Sequence, residues 1–398
     1  MRPVLLLLAV VAASMATGCG NADSRASLDQ AIQGGETVTL PHARTFSIMA
    51  RDGYHIVNLR SALPNWGGAA QGPEQHARLV LVPRGTTAPE LAGDLAEAQI
   101  IRTPVMRIAT NYGSMEAALT ALGVDDRLVA VGGLKSYNDS IRERTRSGTI
   151  RQIGYGWHSP PNLDTLVAAR PDVLLMAMAS LEHTQQMERI RAMGIPVLPV
   201  FIDNEPHYLG SVDYMTLIGL LTGREAQAAA HVAMVTNNVT RIRERLRGVE
   251  PVPVMSSWYN GGDRWMATVR GGDAMLLRDA GGRNLLAEAD DPSRDNYQRI
   301  SSETLLQRGR EAACWIWRDT HSQLPPDPAL LRQFRAVRES CLFASDGMTK
   351  PQHDAFDYYE RAAIRPDLEL ADMARMLHPA LFSADWTYIR PDRQRAAP

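Results

Sequence analysis

The chain has 398 residues, 45% of them hydrophobic and 22% charged, which suits a globular protein with two lobes of ordinary domain size rather than one small core. Its formal net charge of -2 lacks the basic surplus that nucleic-acid binding leaves, so nucleic acid is excluded as an expected partner.

At the N-terminus, Met1-Arg2-Pro3 carries positive charge, Val4 to Ala16 is apolar, and small residues precede Cys19. The apolar run is shorter than the roughly 20 residues a membrane-spanning helix needs, so residues 1–18 read as a removable export signal. Ala16-Thr17-Gly18-Cys19 resembles the lipobox of bacterial lipoproteins, departing from it at Ala16, where leucine is usual. The resemblance implies that Cys19 is acylated and holds the exported protein to a membrane on the periplasmic side of the envelope; plain secretion is the alternative. Several acyl chains meet the two-signal requirement for stable anchoring. Export also permits a bond between Cys314 and Cys341, although both lie in apolar runs that suit buried thiols equally well.

Residues 19–102 read as a polar tether and a β-rich lead-in, with strand-like content at Phe46 to Leu59 and Arg78 to Val82. From 103 to 206 strands alternate with helices: strands at Val105 to Ala109, Leu128 to Val131, Val173 to Met176 and Val197 to Phe201, and helices at Met115 to Leu122, Asn162 to Ala169 and Leu181 to Met193. That alternation predicts a parallel α/β lobe. Residues 207–250 are helical, and Arg224 to Arg247, free of Pro and Gly, predicts a helix of roughly 36 Å able to join two bodies rigidly. The α/β grammar returns over 251–385, with strands at Val252 to Ser256, Ala312 to Trp317 and Cys341 to Phe343, and helices at Asp273 to Ala280, Ser302 to Gln307 and Leu330 to Val337. A last helix opens at Pro366, and 386–398 reads as a polar tail. Trp315 and Trp317 alternate about Ile316, which points at least one of them into a core.

This order, with the segments Asn162-Leu163-Asp164-Thr165-Leu166-Val167-Ala168-Ala169-Arg170-Pro171-Asp172 and Asp357-Tyr358-Tyr359-Glu360-Arg361, resembles the periplasmic binding proteins of iron-chelate and cobalamin importers, from about Thr103 to Phe382. The resemblance implies an α/β fold of two parallel-sheet lobes bridged by one long rigid helix, with a ligand held in the cleft between them. It implies a monomeric carrier that has no intrinsic cofactor and works with an ABC permease and its ATPase. Its ligand would be a small-molecule metal chelate carrying iron or cobalt, as in a ferric siderophore, haem or cobalamin. It also implies one acidic docking residue per lobe for the permease, matching Asp164 and Asp273. Both positions equally suit carboxylates that stabilise helix N-termini.

A cleft for a planar chelate needs aromatic surface and a few polar anchors. Candidate loops offer Asn111, Tyr112, Trp157, Trp258, Tyr259, Trp265 and Asp357, with Trp157 and Asp357 matching ligand-proximal positions of the family. The histidines form no pair at metal-ligand spacing, so no protein-held metal is expected. There is no Gly-x-Ser-x-Gly, Walker loop or dinucleotide fingerprint, which favours a carrier over an enzyme. An exported hydrolase, or a sensor or scaffold lipoprotein on the same fold, is the competing reading.

Overall fold

A computed structural model describes residues 35–62, 74–156, 160–178, 180–289, 296–318, 328–383 and 385–392. The expectations for the signal segment, Cys19 and Trp157 lie outside the described residues. The lead-in is a five-stranded sheet of β1 (Glu36–Thr37), β2 (Phe46–Arg51), β3 (Tyr54–Ser61), β4 (Gln75–Pro83) and β5 (Gln99–Thr103), neighbours in that order. Asp52 and Gly53, at φ of 49° and 82°, make the tight β2–β3 turn. Phe46, Ile48, Val57, Leu59, Leu79 and Ile101 share one apolar core with the first α/β lobe, so this sheet is packed into the lobe. Two buried carboxylates fix the chain entering β2. Asp213 accepts the N–H groups of His42 and Ala43, each at 2.8 Å. Glu205 accepts those of Arg44 at 2.8 Å and Thr45 at 3.0 Å.

The first lobe holds β6 (Ile108–Thr110), β7 (Leu128–Val131), β8 (Arg151–Gln152), β9 (Val173–Ala177) and β10 (Val197–Val200), ordered β10-β9-β6-β7-β8 and parallel throughout. Every residue of β9 is buried, as expected where helices cover both faces of a parallel sheet. Its helices are α1 (Gly113–Ala121), α2 (Asp139–Arg146), α3 (Leu163–Ala169) and α4 (Leu181–Ala192). Asn162 caps α3 by accepting from the Thr165 N–H at 2.9 Å, and Arg170 in the left-handed region stops it.

Two helices follow, α5 (Tyr208–Thr222) and α6 (Glu225–Arg245), the latter close to the expected span. Ala228 of α6 belongs to the first lobe's core, whereas Val235, Val239 and Ile242 belong to the second lobe's. In α5 the division runs the other way, with Leu209 and Val212 in the second core and Met215, Leu217 and Ile218 in the first. Two helices therefore supply side chains to both bodies, where the sequence pattern predicts one.

The second lobe contains β11 (Val252–Tyr259), β12 (Trp265–Thr268), β13 (Gly282–Asn284), β14 (Tyr297–Ile300), β15 (Cys314–Trp317) and β16 (Leu342–Ala344). Its helices are α7 (Gly271–Asp279), α8 (Ser302–Gly309), α9 (Pro328–Leu331) and α10 (Arg335–Arg338). The sheet is parallel only at its centre. β12 and β14 pair antiparallel on one side, and a late strand, β19 (Arg390–Pro391), pairs antiparallel with β16 on the other. The tail expected from 386 onward is thus partly structural: Tyr388 and Ile389 are fully buried, and Asp372 accepts their N–H groups at 2.6 and 2.9 Å. The helix expected over Leu330 to Val337 is broken into α9 and α10.

Pleat alternation sends Cys314 and Ile316 to one face of this sheet and Trp315 and Trp317 to the other, with both tryptophans fully buried. Cys314 and Cys341 form a disulfide with Cα atoms 4.7 Å apart, joining the start of β15 to the turn before β16. Between β16 and β19 lie β17 (Thr349–Lys350) and β18 (Ala355–Phe356), a small hairpin, then α11 (Asp357–Arg361) and α12 (Pro366–Leu377).

Candidate functional site

In open α/β sheets ligands lie beyond the carboxyl ends of the strands. In the first lobe, β6 ends at Asn111-Tyr112 and β10 runs into Asp203. The Tyr112 hydroxyl donates to the Asp203 carboxylate. Desolvation pushes Asp203 up to about 6, the Tyr112 hydrogen bond opposes that shift, and the charge of Asp273 from the second lobe adds to it. Asp203 nonetheless exposes part of its surface. Crowding by protein together with open surface describes a concave wall.

The facing wall comes from the second lobe. Arg318, buried at the end of β15, is paired with Asp273 at 3.1 Å and Glu369 at 2.9 Å, and it also donates to the Tyr358 hydroxyl. Tyr297 donates to Asp273, and its ring meets Trp258 edge-on with centroids 5.4 Å apart. Burial pushes Glu369 up to about 7; Arg318 pulls it down and the Asp273 charge pushes it up further. Burial likewise raises the phenols of Tyr112 and Tyr297, keeping both protonated as donors. The arrangement can bind through phenols, carboxylates and an aromatic edge. Among the described residues, no group of three His, Cys, Asp or Glu side chains gathers to hold a metal ion.

The expected ligand residues divide. Tyr112 and Trp258 fall on these walls. Asn111 lies beside Tyr112 and is buried: its side-chain oxygen accepts the Ala177 N–H at 2.9 Å and its carbonyl accepts the Gly156 N–H at 2.9 Å, while its Nδ2 has no hydrogen-bond partner among the described residues. It ties the two loops together. Tyr259 and Trp265 are corrected to core residues. Trp265 is fully buried against Trp315 and Trp317, with centroids 5.6 and 5.4 Å away, and Tyr259 packs on Trp265 at 5.3 Å. The strand β12, not expected from the pattern, turns Trp265 inward. Asp357 opens α11 with its carboxylate buried and paired to Arg361 at 2.6 Å, one helical turn on.

The two docking candidates are not equivalent. Asp164 is exposed in the first turn of α3, and capping there belongs to Asn162. Asp273 does not cap α7: the N-cap is Arg270, and Asp273 sits in the first turn with its carboxylate engaged by Arg318 and Tyr297. Asp203, Tyr297 and Arg318 escaped the sequence reading. Arg318 follows the apolar run Cys314 to Trp317, and a cation closing such a strand was the one available signal.

Residues 108–340 match the periplasmic binding protein family. The chain belongs to that family. It is 26% identical over 330 residues to an uncharacterized lipoprotein of Methanocaldococcus jannaschii, covering 77% of this chain and 78% of that one. Its fold is that of a periplasmic haem-binding protein from Pseudomonas aeruginosa, with TM-score 0.54 and 18% identity, covering 73% of this chain and 99% of the other. It is similarly close to the periplasmic vitamin B12 binding protein of Vibrio cholerae, with TM-score 0.50 and 12% identity over 70% and 98% of the two chains. These periplasmic binding proteins are recognised for binding rather than catalysis. No helix among the described residues is long and apolar enough to cross a membrane.

Proposed function

We propose that this periplasmic binding protein is the solute-binding component of an ABC importer, held to a membrane through lipid on Cys19, and that it captures a metal chelate between its lobes. The observation that carries the reading is the pair of facing walls, Tyr112–Asp203 and Tyr297–Asp273–Arg318 beside Trp258, at the carboxyl ends of both sheets in a chain of this family. The structural neighbours that bind haem and vitamin B12 support the ligand class, a chelate of iron or cobalt. Asp164 is the proposed docking point for the permease on the first lobe, while Asp273, the matching residue of the second, is engaged by Arg318 and Tyr297 in the wall. Asp164→Ala is expected to leave ligand affinity unchanged and abolish uptake, since its carboxylate has no capping duty.

The test is equilibrium titration of the full chain with haemin, a ferric siderophore panel and cobalamin. Saturable one-to-one binding of one member, with the ligand recovered unchanged, is the expected outcome. Conversion of a ligand to product would favour an exported hydrolase, and absence of binding to every member would count against the carrier reading.

A further inference from the structure

The lobes also meet away from those walls, where the strap formed by β17, β18 and α11 lies against α1 and the loop after β7. Glu360 of α11 is laid over Gly113, so close that a Cβ on that glycine would stand 2.9 Å from its Cγ. Glu116 lies three residues further along α1, on the same helical face, and is 2% exposed. One Glu360 oxygen accepts the Tyr137 N–H at 2.6 Å. Glu116 has one oxygen, Oε2, with no hydrogen-bond partner among the described residues, and the Ser136 side chain opposes only part of its burial.

We propose that the contact between α1 and α11 is a proton-held latch, closed while Glu116 and Glu360 are protonated and released as they ionise. Two carboxyls buried together cannot both carry charge without large cost. Burial pushes Glu116 up to about 8, and burial together with the neighbouring Glu116 raises Glu360 well above the carboxylate range. The Tyr137 N–H and Arg142 oppose the Glu360 shift, while Asp357 adds to it. Arg142 is itself engaged, by the Ser136 carbonyl at 2.5 Å and by Asp139.

The other charged groups around the contact are paired with one another. Lys350 bridges to Asp139 at 2.7 Å and lies over the Tyr137 ring at 4.4 Å. Lys135 pairs with Asp354, and Arg361 with Asp357 at 2.6 Å. The Tyr155 phenol, facing both glutamates, is raised by burial and stays protonated. His353 lies in the same strap, so it needs its own control.

Opening returns the carboxyls to water and to their ordinary acidity. The closed form, holding the extra protons, is therefore favoured below about pH 4.5 and loses ground as pH rises toward 8, by about tenfold per pH unit for each proton released. Amide hydrogen exchange at Tyr137 in the ligand-free full chain reads this opening directly, after correction for the intrinsic pH dependence of exchange. Protection of Tyr137 is expected to fall by about tenfold or more per unit between pH 5 and 7.5, and to lose that slope in E116Q/E360Q while persisting in H353Q. A flat wild-type profile, which needs no variant, would overturn the latch. So would a slope that survives in E116Q/E360Q or vanishes in H353Q.

Discussion

Arg318 shows how one residue can organise a wall. Buried with two carboxylates at 3.1 and 2.9 Å and a phenol, it is the cation that makes their burial tolerable. Arg318→Ala leaves Asp273 and Glu369 without their counter-charge and is expected to cost about 3–5 kcal/mol, measured by urea unfolding. A cost below about 1 kcal/mol would mean the cluster is hydrated rather than charge-locked. The tryptophans make a second comparison. Trp265 is sealed among aromatic rings, so Trp265→Ala should destabilise by about 3–5 kcal/mol. Trp258, half-buried beside Tyr297, should cost less in stability and more in ligand affinity. Local apolar periodicity does not separate these two residues. What separates them is the antiparallel pairing of β12 with β11, a long-range register that local periodicity does not encode.

At the scale of elements, the helices and central strands were largely legible. Their apolar spacing is local chemistry, and most fell within a residue or two of expectation, whereas β6 begins and β11 ends three residues later than expected. The elements that escaped are short, as with β13 and β14, or depend on distant partners, as with β19 on β16. The disulfide belongs to the same class. Sequence spacing left Cys314 and Cys341 open to either state, and only the parallel pairing of β15 with β16 brings them together. Because it closes a loop of 27 residues, replacing both cysteines by serine is expected to lower unfolding free energy by about 3–4 kcal/mol, read from the shift of the denaturant midpoint. An unchanged midpoint would place the crosslink outside the cooperative unit.

For the whole molecule, the family follows from the order of elements, but the cleft does not follow from any one of them. Tyr112 and Asp203 are separated by 91 residues, and Asp273 comes from the first turn of α7 whereas Arg318 follows β15. A local reading found Tyr112, Trp258 and, as a docking residue, Asp273, and missed Asp203, Tyr297 and the buried Arg318, since a charge in a loop ordinarily reads as solvated. The same consideration explains the unequal docking candidates, one free at the surface and one drawn into the wall. The lead-in sheet, sharing the first lobe's core, makes that lobe larger than the family's common part without changing where its strands end. The central claim is that a metal chelate binds between these walls, and thermal unfolding of the full chain across the haemin, siderophore and cobalamin panel tests it most directly. One ligand at 100 times its Kd is expected to add about 2.7 kcal/mol to the wild-type protein and to Trp265→Ala, and clearly less to Trp258→Ala. Stabilisation by none of the panel, or equal stabilisation of Trp258→Ala and wild type, would contradict it.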